Sequence, residues 1–504
     1  QVNVEIPHYC YHPHLSVAGN CRMCLVDIEA GGRGPDIACN MGARDGLEIR
    51  TDTPNVKQMR KSVMEFLLAN HPLDCPICDQ AGECRLQDYY MDYGKYRTRF
   101  ADQKVTKVKR QRIGDHVVLD SERCVQCSRC VRFGDEVTKT GELRLFNRTD
   151  QTEIGVFPGD QIEHKYQGCL SDICPVGALT DEDFRFEKRV WYMKTVPGVC
   201  DGCATGCNVD VDHDQGQVFR VRPRRNDSVN DSWMCDIGRI DPARFSGIKR
   251  IMRSRVGEGD KSTPDAISHV AEMLRNAAPE SVAVVLGARA TNEANWAMAA
   301  LQQKHLPQSR LFLVDGNHEG ADGYHDDLLV SQDKNPNRAG AAAILAHCGG
   351  AGDKDALIAG LESGDIQVVL VLEDDLLHRI PEHKKPAGGL VYFGAFENGT
   401  SAAADVVIGV AASVEQDGTF TNRNGRVQRI RRAIGPLGDA LPAYRVVDGL
   451  AESLGDPLGT ATGAKAFALL AGAVPGFQTM TYQTLGLGGQ VMASTDATAN
   501  GPAE

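Results

Sequence analysis

The sequence predicts a multidomain chain of mixed class: an α+β half built around metal ligands, then an α/β half with a doubly wound parallel sheet. Three observations predict it. At 504 residues the chain is too long for one hydrophobic core and should divide into several domains. Sixteen of its 17 cysteines precede residue 236, and only Cys348 follows. From residue 251 onward, short apolar runs alternate with helical patterns, as in strands joined through crossover helices.

Composition removes several classes of function. The net charge of −12 argues against nucleic acid as the main partner. No stretch reaches the roughly 18 consecutive apolar residues of a membrane span. The opening QVNVEIPHYCYHP lacks the charged and apolar regions of a secretory signal. The cysteines recur as C-x2-C pairs rather than as a spread disulfide framework, which suits metal ligation in a reducing setting.

The elements follow in order. Cys10, Cys21, Cys24 and Cys39 form a first block, C-x10-C-x2-C-x14-C, in a glycine-punctuated loop leading to a strand over Leu25–Ile28. Ala18, Gly19 and Asn20 are small enough to let backbone amides approach cluster sulfurs. Four cysteines in this order fit a [2Fe–2S] cluster, with a structural zinc as the alternative. A helix follows, capped by Thr53 with Pro54 in its first turn, and Val56, Met59, Val63, Phe66 and Leu67 are expected on one apolar face. It delivers a second block, His71, Cys75, Cys78 and Cys84. Spacing alone leaves His71 open between a ligand and a surface histidine. As a ligand, its neutral imidazole would make the site less negative and raise its reduction potential.

The third block is Cys124, Cys127 and Cys130 with a distant Cys174 before Pro175. The C-x2-C-x2-C run with a remote C-P is the bacterial ferredoxin pattern for [4Fe–4S]. Cys169 has no companions at ligand spacing and is expected to be a structural or free thiol. The fourth block, Cys200, Cys203, Cys207 and Cys235, could by spacing be a zinc ribbon as well as a cluster site. Beyond it, strands are expected at Val282–Leu286, Leu311–Val314, Val368–Leu372 and Val406–Val410, with a helix from Ala294 to Leu301. The tail from about Ala493 is small and polar and is expected to be disordered. Lys95–Arg112 carries eight Lys or Arg and one Asp, and is expected to be a solvated face or subunit contact.

Taken in order, these motifs resemble the large iron–sulfur subunit of bacterial respiratory complex I, the 75-kDa-subunit family of NADH-quinone oxidoreductases. IPHYCYHPHLSVAGNCRMCLVDIE resembles its [2Fe–2S] domain, and HPLDCPICDQAGECRLQD its [4Fe–4S] motif with one histidine and three cysteines. SERCVQCSRCVRF with DICPVGAL resembles its next [4Fe–4S] site. CDGCATGCNV with WMCDIGR, and GTFTNRNGRVQRIRRA, resemble stretches of molybdopterin oxidoreductases.

The resemblance implies six segments. They are a β-grasp [2Fe–2S] ferredoxin-like domain (1–50, opening hairpin missing), a [4Fe–4S] domain with one histidine ligand (51–95) and a [4Fe–4S] ferredoxin-like region (96–190). A molybdopterin-oxidoreductase-type [4Fe–4S] domain (191–250), an α/β domain of the same superfamily (251–480) and a tail (481–504) complete them. It implies one [2Fe–2S] and three [4Fe–4S] clusters on the sixteen residues of the four blocks, and therefore iron as their metal. It implies no flavin, no catalytic residue and no NADH or quinone site on this chain. The C-x-K-G that usually follows the last cluster cysteine in molybdopterin enzymes is absent, with Ile237 in place of the lysine, so no molybdenum is expected.

Implied partners are the flavin- and NADH-binding subunit and the quinone-side iron–sulfur subunits, with membrane association only through the complex, peripheral on the cytoplasmic side of the bacterial inner membrane, and no nucleic acid. The implied role is to pass electrons from flavin toward quinone, coupled to proton translocation, with the fourth cluster off the main path. The alternative is the iron–sulfur subunit of an NAD-linked formate dehydrogenase or hydrogenase.

Overall fold

Leu25–Ile28 (β1) is a strand whose first two residues are buried and whose last two are half-buried. It pairs antiparallel with Asp36–Ile37 (β2) on one side and Ile49–Arg50 (β3) on the other. Pro54–Asn70 (α1) follows, and Thr53 Oγ1 accepts from Val56 N at 3.1 Å as its cap. The computed structural model describes residues 4–493 apart from 30–33, 240–244, 246, 248, 315–322, 351 and 381–384. The tail beyond Ala493 lies outside the described residues. No described helix is long and apolar enough to cross a membrane.

By internal contacts the chain divides into two units, Gln1–Met193 with Trp233–Ile240, and Lys194–Ser232 with Asp241–Glu504. In the first unit, Arg85–Tyr93 (α2), Arg129–Glu136 (α3) and Gly168–Ile173 (α4) join α1. Gln111–Arg112 (β4), Val117–Leu119 (β5) and Leu179–Asp181 (β8) form an antiparallel sheet in the order β4-β5-β8, while Arg144–Phe146 (β6) pairs with Glu153–Gly155 (β7).

The buried line of α1 is Val56, Arg60 and Met64. Met59, Val63 and Leu67 are half-buried beside it, but Phe66, expected on the apolar face, is 81% exposed. The seam runs along an i, i+4, i+8 row, which rotates Phe66 outward. Arg60 remains buried because its guanidinium donates to Leu25 O at 3.0 Å and Tyr93 Oη at 3.1 Å.

The second unit opens with the antiparallel sheet of Lys194–Val199 (β9), Asn208–Asp214 (β10) and Gln217–Pro223 (β11). Its centre is a seven-stranded sheet of Ser254–Val256 (β12), Gly259–Lys261 (β13), Val282–Leu286 (β14), Arg310–Leu313 (β15), Val368–Leu372 (β16), Gly389–Gly394 (β17) and Val406–Gly409 (β18). The order is β13-β12-β18-β17-β16-β14-β15, and the five strands from β14 to β18 run parallel. All four expected strands are therefore present within about one residue, and the expected helix is present but longer, Asn292–His305, running four residues past Leu301. Every residue of β14, β16 and β17 is buried, as a parallel sheet covered on both faces requires. Gly418–Thr421 (β19) and Arg426–Ile430 (β20) then form a hairpin with Gln490–Val491 (β21) at its edge.

Candidate metal centres

The four thiols of the first block converge. Cys10 and Cys21 share a hydrogen bond, and Cys24 and Cys39 share another. Cys10 is held well below the ordinary thiol range, chiefly because Cys21 donates to it, and the amides of Asn20 and Cys21 add to the pull. Of the small residues expected to offer amides before Cys21, Asn20 supplies one of these two. Cys39 is pushed up to about 12, first by burial and then by Cys24. Gly19, in the left-handed region at φ +63°, lets the loop turn over Ile37, whose Cδ1 would lie 3.1 Å from a Cβ at that position.

The second block lines one cavity of about 700 Å³ that holds His71, Cys75, Cys78 and Cys84 together with Met64, Leu68 and Arg123. His71 is the C-terminal cap residue of α1, so the end of the helix delivers it to the cavity wall. Burial first, then the charges of Lys104 and Arg123, lower its imidazole to about 4. A histidine held neutral is in the form that binds a metal. Burial raises Cys84 to about 12, and Cys75 is the exposed member. Gly177, three residues after Cys174, touches this site: a Cβ there would lie 2.2 Å from Cys78 Sγ.

The third block lines a tight space of about 20 Å³ where Cys124, Cys127, Cys130 and Cys174 meet against Leu119, Ile154 and Pro175. Burial pushes Cys124 up to about 12 and Cys127 to about 11, and raises Cys130 and Cys174; thiol neighbours add to this at the first three. At Cys174 the amides of Val176, Ala178 and Leu179 work against burial by pointing at its sulfur. Three groups of soft or imidazole donors, most of them buried or half-buried and several raised by burial, suit a bound cationic centre that would hold the thiolates together. Amide-to-sulfur hydrogen bonds of this kind also tune iron–sulfur potentials.

The fourth block is divided between the units: Cys200, Cys203 and Cys207 lie in the second and Cys235 in the first. In the second unit the loop is closed by Cys200 N donating to Cys207 O at 2.8 Å and Gly202 N to Cys200 Sγ at 3.4 Å. The β19–β20 hairpin supports it. Arg423 N donates to Ala204 O at 2.7 Å, Gln428 Nε2 to Gly206 O at 2.6 Å and Asn422 Nδ2 to Thr205 O at 3.2 Å. That hairpin is the GTFTNRNGRVQ stretch, whose role spacing could not reveal.

In the first unit, Cys169 Sγ donates to Met234 O at 3.1 Å, and Asp236 accepts from Gln167 N and Gly168 N at the start of α4. Trp233 stacks on His12 at 5.1 Å and packs on Phe133 at 4.9 Å. The buried Cys169 thus anchors the backbone beside Cys235. Ile237, in place of the molybdopterin lysine, sits in a one-turn helix and is 41% exposed. Cys348 caps the end of Arg338–His347, half-buried.

Sequence reasoning missed how the first three sites are joined. Cys10, Cys84 and Cys127 belong to one buried apolar cluster with Tyr9, Met23, Met64 and Tyr89, and Cys21, Cys124 and Cys174 pack against it. It also missed the work of the basic stretch. Lys104 caps α1 by donating to Leu68 O and Ala69 O at 2.8 Å, and Lys109 pairs with Asp74 and Glu122 at 2.6 and 2.8 Å.

Family models match in chain order: a 2Fe-2S iron-sulfur cluster binding domain (residues 1–54), the NADH-ubiquinone oxidoreductase-G iron-sulfur binding region (60–99) and the ferredoxin-like domain of NADH-quinone oxidoreductase subunit 3 (114–180). A NuoG-like 4Fe-4S domain (197–241) and molybdopterin oxidoreductase (335–453) follow.

Among curated relatives, the mitochondrial NADH dehydrogenase [ubiquinone] iron-sulfur protein 1 of Solanum tuberosum is 40% identical over 338 residues, 65% of this chain and 45% of that protein. The NuoG-type NADH-quinone oxidoreductase polypeptide of Rickettsia conorii is 37% identical over 60% of this chain and 46% of its own length. The NADH-ubiquinone oxidoreductase 75 kDa subunit of Reclinomonas americana is 43% identical over 50% and 36% respectively. The chain thus spans about half the length, or less, of the curated relatives it matches. A solved NAD+-reducing [NiFe]-hydrogenase chain aligns at a TM-score of 0.32 and 24% identity over 37% of this chain and 79% of its own, too loose a superposition to bear on the site. Cluster domains named for this type of polypeptide are thus matched in order along the chain, and it is similar, at 36–43% identity over 50–65% of its length, to NuoG-type subunits of NADH-quinone oxidoreductases and to the 75 kDa iron–sulfur subunit.

Proposed function

We propose that this chain carries single electrons within an NADH:quinone oxidoreductase, between a flavin-bearing subunit and quinone-side iron–sulfur subunits, in a complex that also translocates protons. One observation carries the reading: ligand candidates from three separate blocks share one buried apolar cluster. Clusters placed there would be shielded from water and close to one another, as stepwise electron transfer needs. We assign Cys10, Cys21, Cys24 and Cys39 to a [2Fe–2S] cluster. We assign His71, Cys75, Cys78 and Cys84, then Cys124, Cys127, Cys130 and Cys174, then Cys200, Cys203, Cys207 and Cys235, to [4Fe–4S] clusters. The clusters supply reversible one-electron chemistry, and the chain supplies ligands, amide hydrogen bonds and exclusion of solvent.

The second unit has the molybdopterin-oxidoreductase fold. Fold does not confer function, and with Ile237 where a lysine would link cluster to pterin, we read this unit as structural, without molybdenum. The reading assigns the chain no NADH, flavin or quinone site. It places the chain peripherally, on the cytoplasmic side of the bacterial inner membrane, held there through other subunits.

The test is iron and sulfide analysis of the reconstituted chain beside low-temperature EPR after dithionite reduction. About fourteen iron atoms are expected; about six would remove two of the [4Fe–4S] assignments. His71→Cys should retain its cluster at a lowered potential, because a thiolate adds negative charge, and His71→Ala should make it labile. Spectra unchanged in both variants would exclude His71 as a ligand.

A further inference from the structure

We propose that Arg132 is the positioning residue that fixes the first site against the third and holds the potentials of both above those their ligands alone would give. The inference rests on the cluster assignment above. Arg132 lies on α3, two residues past Cys130. Its Nη2 donates to Cys10 O at 2.6 Å and to Cys127 O at 3.2 Å, one carbonyl from a ligand of each site. Its Nη1 donates to Ser16 O in the first-site loop, and its Nε to Ser128 Oγ at 3.3 Å. One guanidinium therefore ties the backbone of a first-site cysteine to that of a third-site cysteine.

Other contacts hold the same junction closed. Arg129 donates to Tyr11 O, just after Cys10, and to Ile173 O at 3.0 Å, just before Cys174. Glu136 accepts from Ser16 N at 2.8 Å, and Asn20 Nδ2 donates to Gln126 O at 3.1 Å. Only Arg132 among them reaches the carbonyl of a ligand in both sites. Its guanidinium stands one carbonyl from a ligand of each site, so its charge acts on both.

The physical consequence has two parts. A planar fork of donors fixes two acceptors at a set separation, which a lysine ammonium on a flexible stem does not. Passing one electron from site to site breaks no bond and moves no proton, so each reduced site gains a full negative charge. A guanidinium between them, always protonated, favours the reduced form of both.

The experiment is an EPR-monitored potentiometric titration of the reconstituted full chain, comparing wild type, Arg132→Gln and Arg132→Lys, with stopped-flow reduction as a second readout. Arg132→Gln should shift the reduced-to-oxidised ratio at the first and third sites by about tenfold toward oxidised, a fall of about 59 mV for a one-electron couple. The second site should stay put. Arg132→Lys should restore most of the potential but not the wild-type rate of transfer between the two sites, since charge returns without the fork. Unchanged potentials in Arg132→Gln with both clusters present would overturn the proposal, as would a shift shared equally by the second site. Loss of both clusters in Gln but not in Lys would support it, and loss in both variants would reduce Arg132 to a folding role. A wild-type chain that takes up no cluster at either site would instead refute the cluster assignment itself.

Discussion

Gly177 shows how one residue can belong to two sites. It follows the third-site Cys174 in sequence but packs against Cys78 of the second. A methyl group 2.2 Å from that sulfur cannot be accommodated without moving the loop. Gly177→Ala should therefore cost the second cluster, about four iron atoms per chain, while the [2Fe–2S] signal remains; retention of all iron would contradict the packing. Glu293 offers a test in the second unit. It is fully buried and accepts from Thr419 N at 2.8 Å, Thr419 Oγ1 at 3.1 Å and Tyr482 Oη at 2.9 Å. Burial outweighs these bonds and pushes its carboxyl up to about 7 from 4.5. With the folded value raised, stability is whole below pH 4.5, falls as the unfolded state alone ionises, and levels off above about 7. In Glu293→Gln that dependence should vanish, changing the variant-minus-wild-type stability by on the order of 3 kcal/mol between pH 4 and 8. Parallel stability curves in denaturant titrations would rule it out.

At the scale of elements, the β19–β20 hairpin and the Cys200–Cys207 loop form one device. Gly425 turns the hairpin at φ +70°, and Asn422 closes it by accepting from Asn424 N and Arg426 N at 3.0 Å. The same Asn422, with Gln428 and Arg423, holds the cysteine loop. Proline cannot adopt a positive φ, so Gly425→Pro should open the turn and release the loop. The expected outcome is loss of the fourth cluster with the other three spectra intact, measured by EPR and iron content. A fully loaded fourth site would show that the hairpin only decorates it. Helix α1 carries a related lesson. Its start was legible from Thr53 and Pro54, but which residues face inward depended on where Leu25 and Tyr93 stand to receive Arg60.

For the whole molecule, the two units differ in what holds them together. The second buries a continuous Val-, Leu- and Ile-rich sheet core, whereas the first builds its apolar cluster partly from the cysteines themselves. Removing iron should therefore unfold the first unit selectively, since buried thiols without metal forfeit the binding free energy that closes their loops. Calorimetry of the chain before and after anaerobic chelation should show one transition shifted strongly down and another nearly unmoved. A common shift of both would mean that the units unfold as one.

By itself the sequence determined the class of fold and the candidate ligands. Ligand spacing marked the four blocks, and buried apolar runs marked the parallel strands, because spacing and periodicity are local properties of a chain. The tertiary structure alone decided what lies between the sites. Arg132 reaches Cys10 across 122 positions of sequence, Gly177 meets Cys78, and Asn422 supports Thr205 across 217. Such contacts carry no periodic signature: each is one donor or one missing side chain whose partner is fixed only when distant segments close around the same buried sulfur.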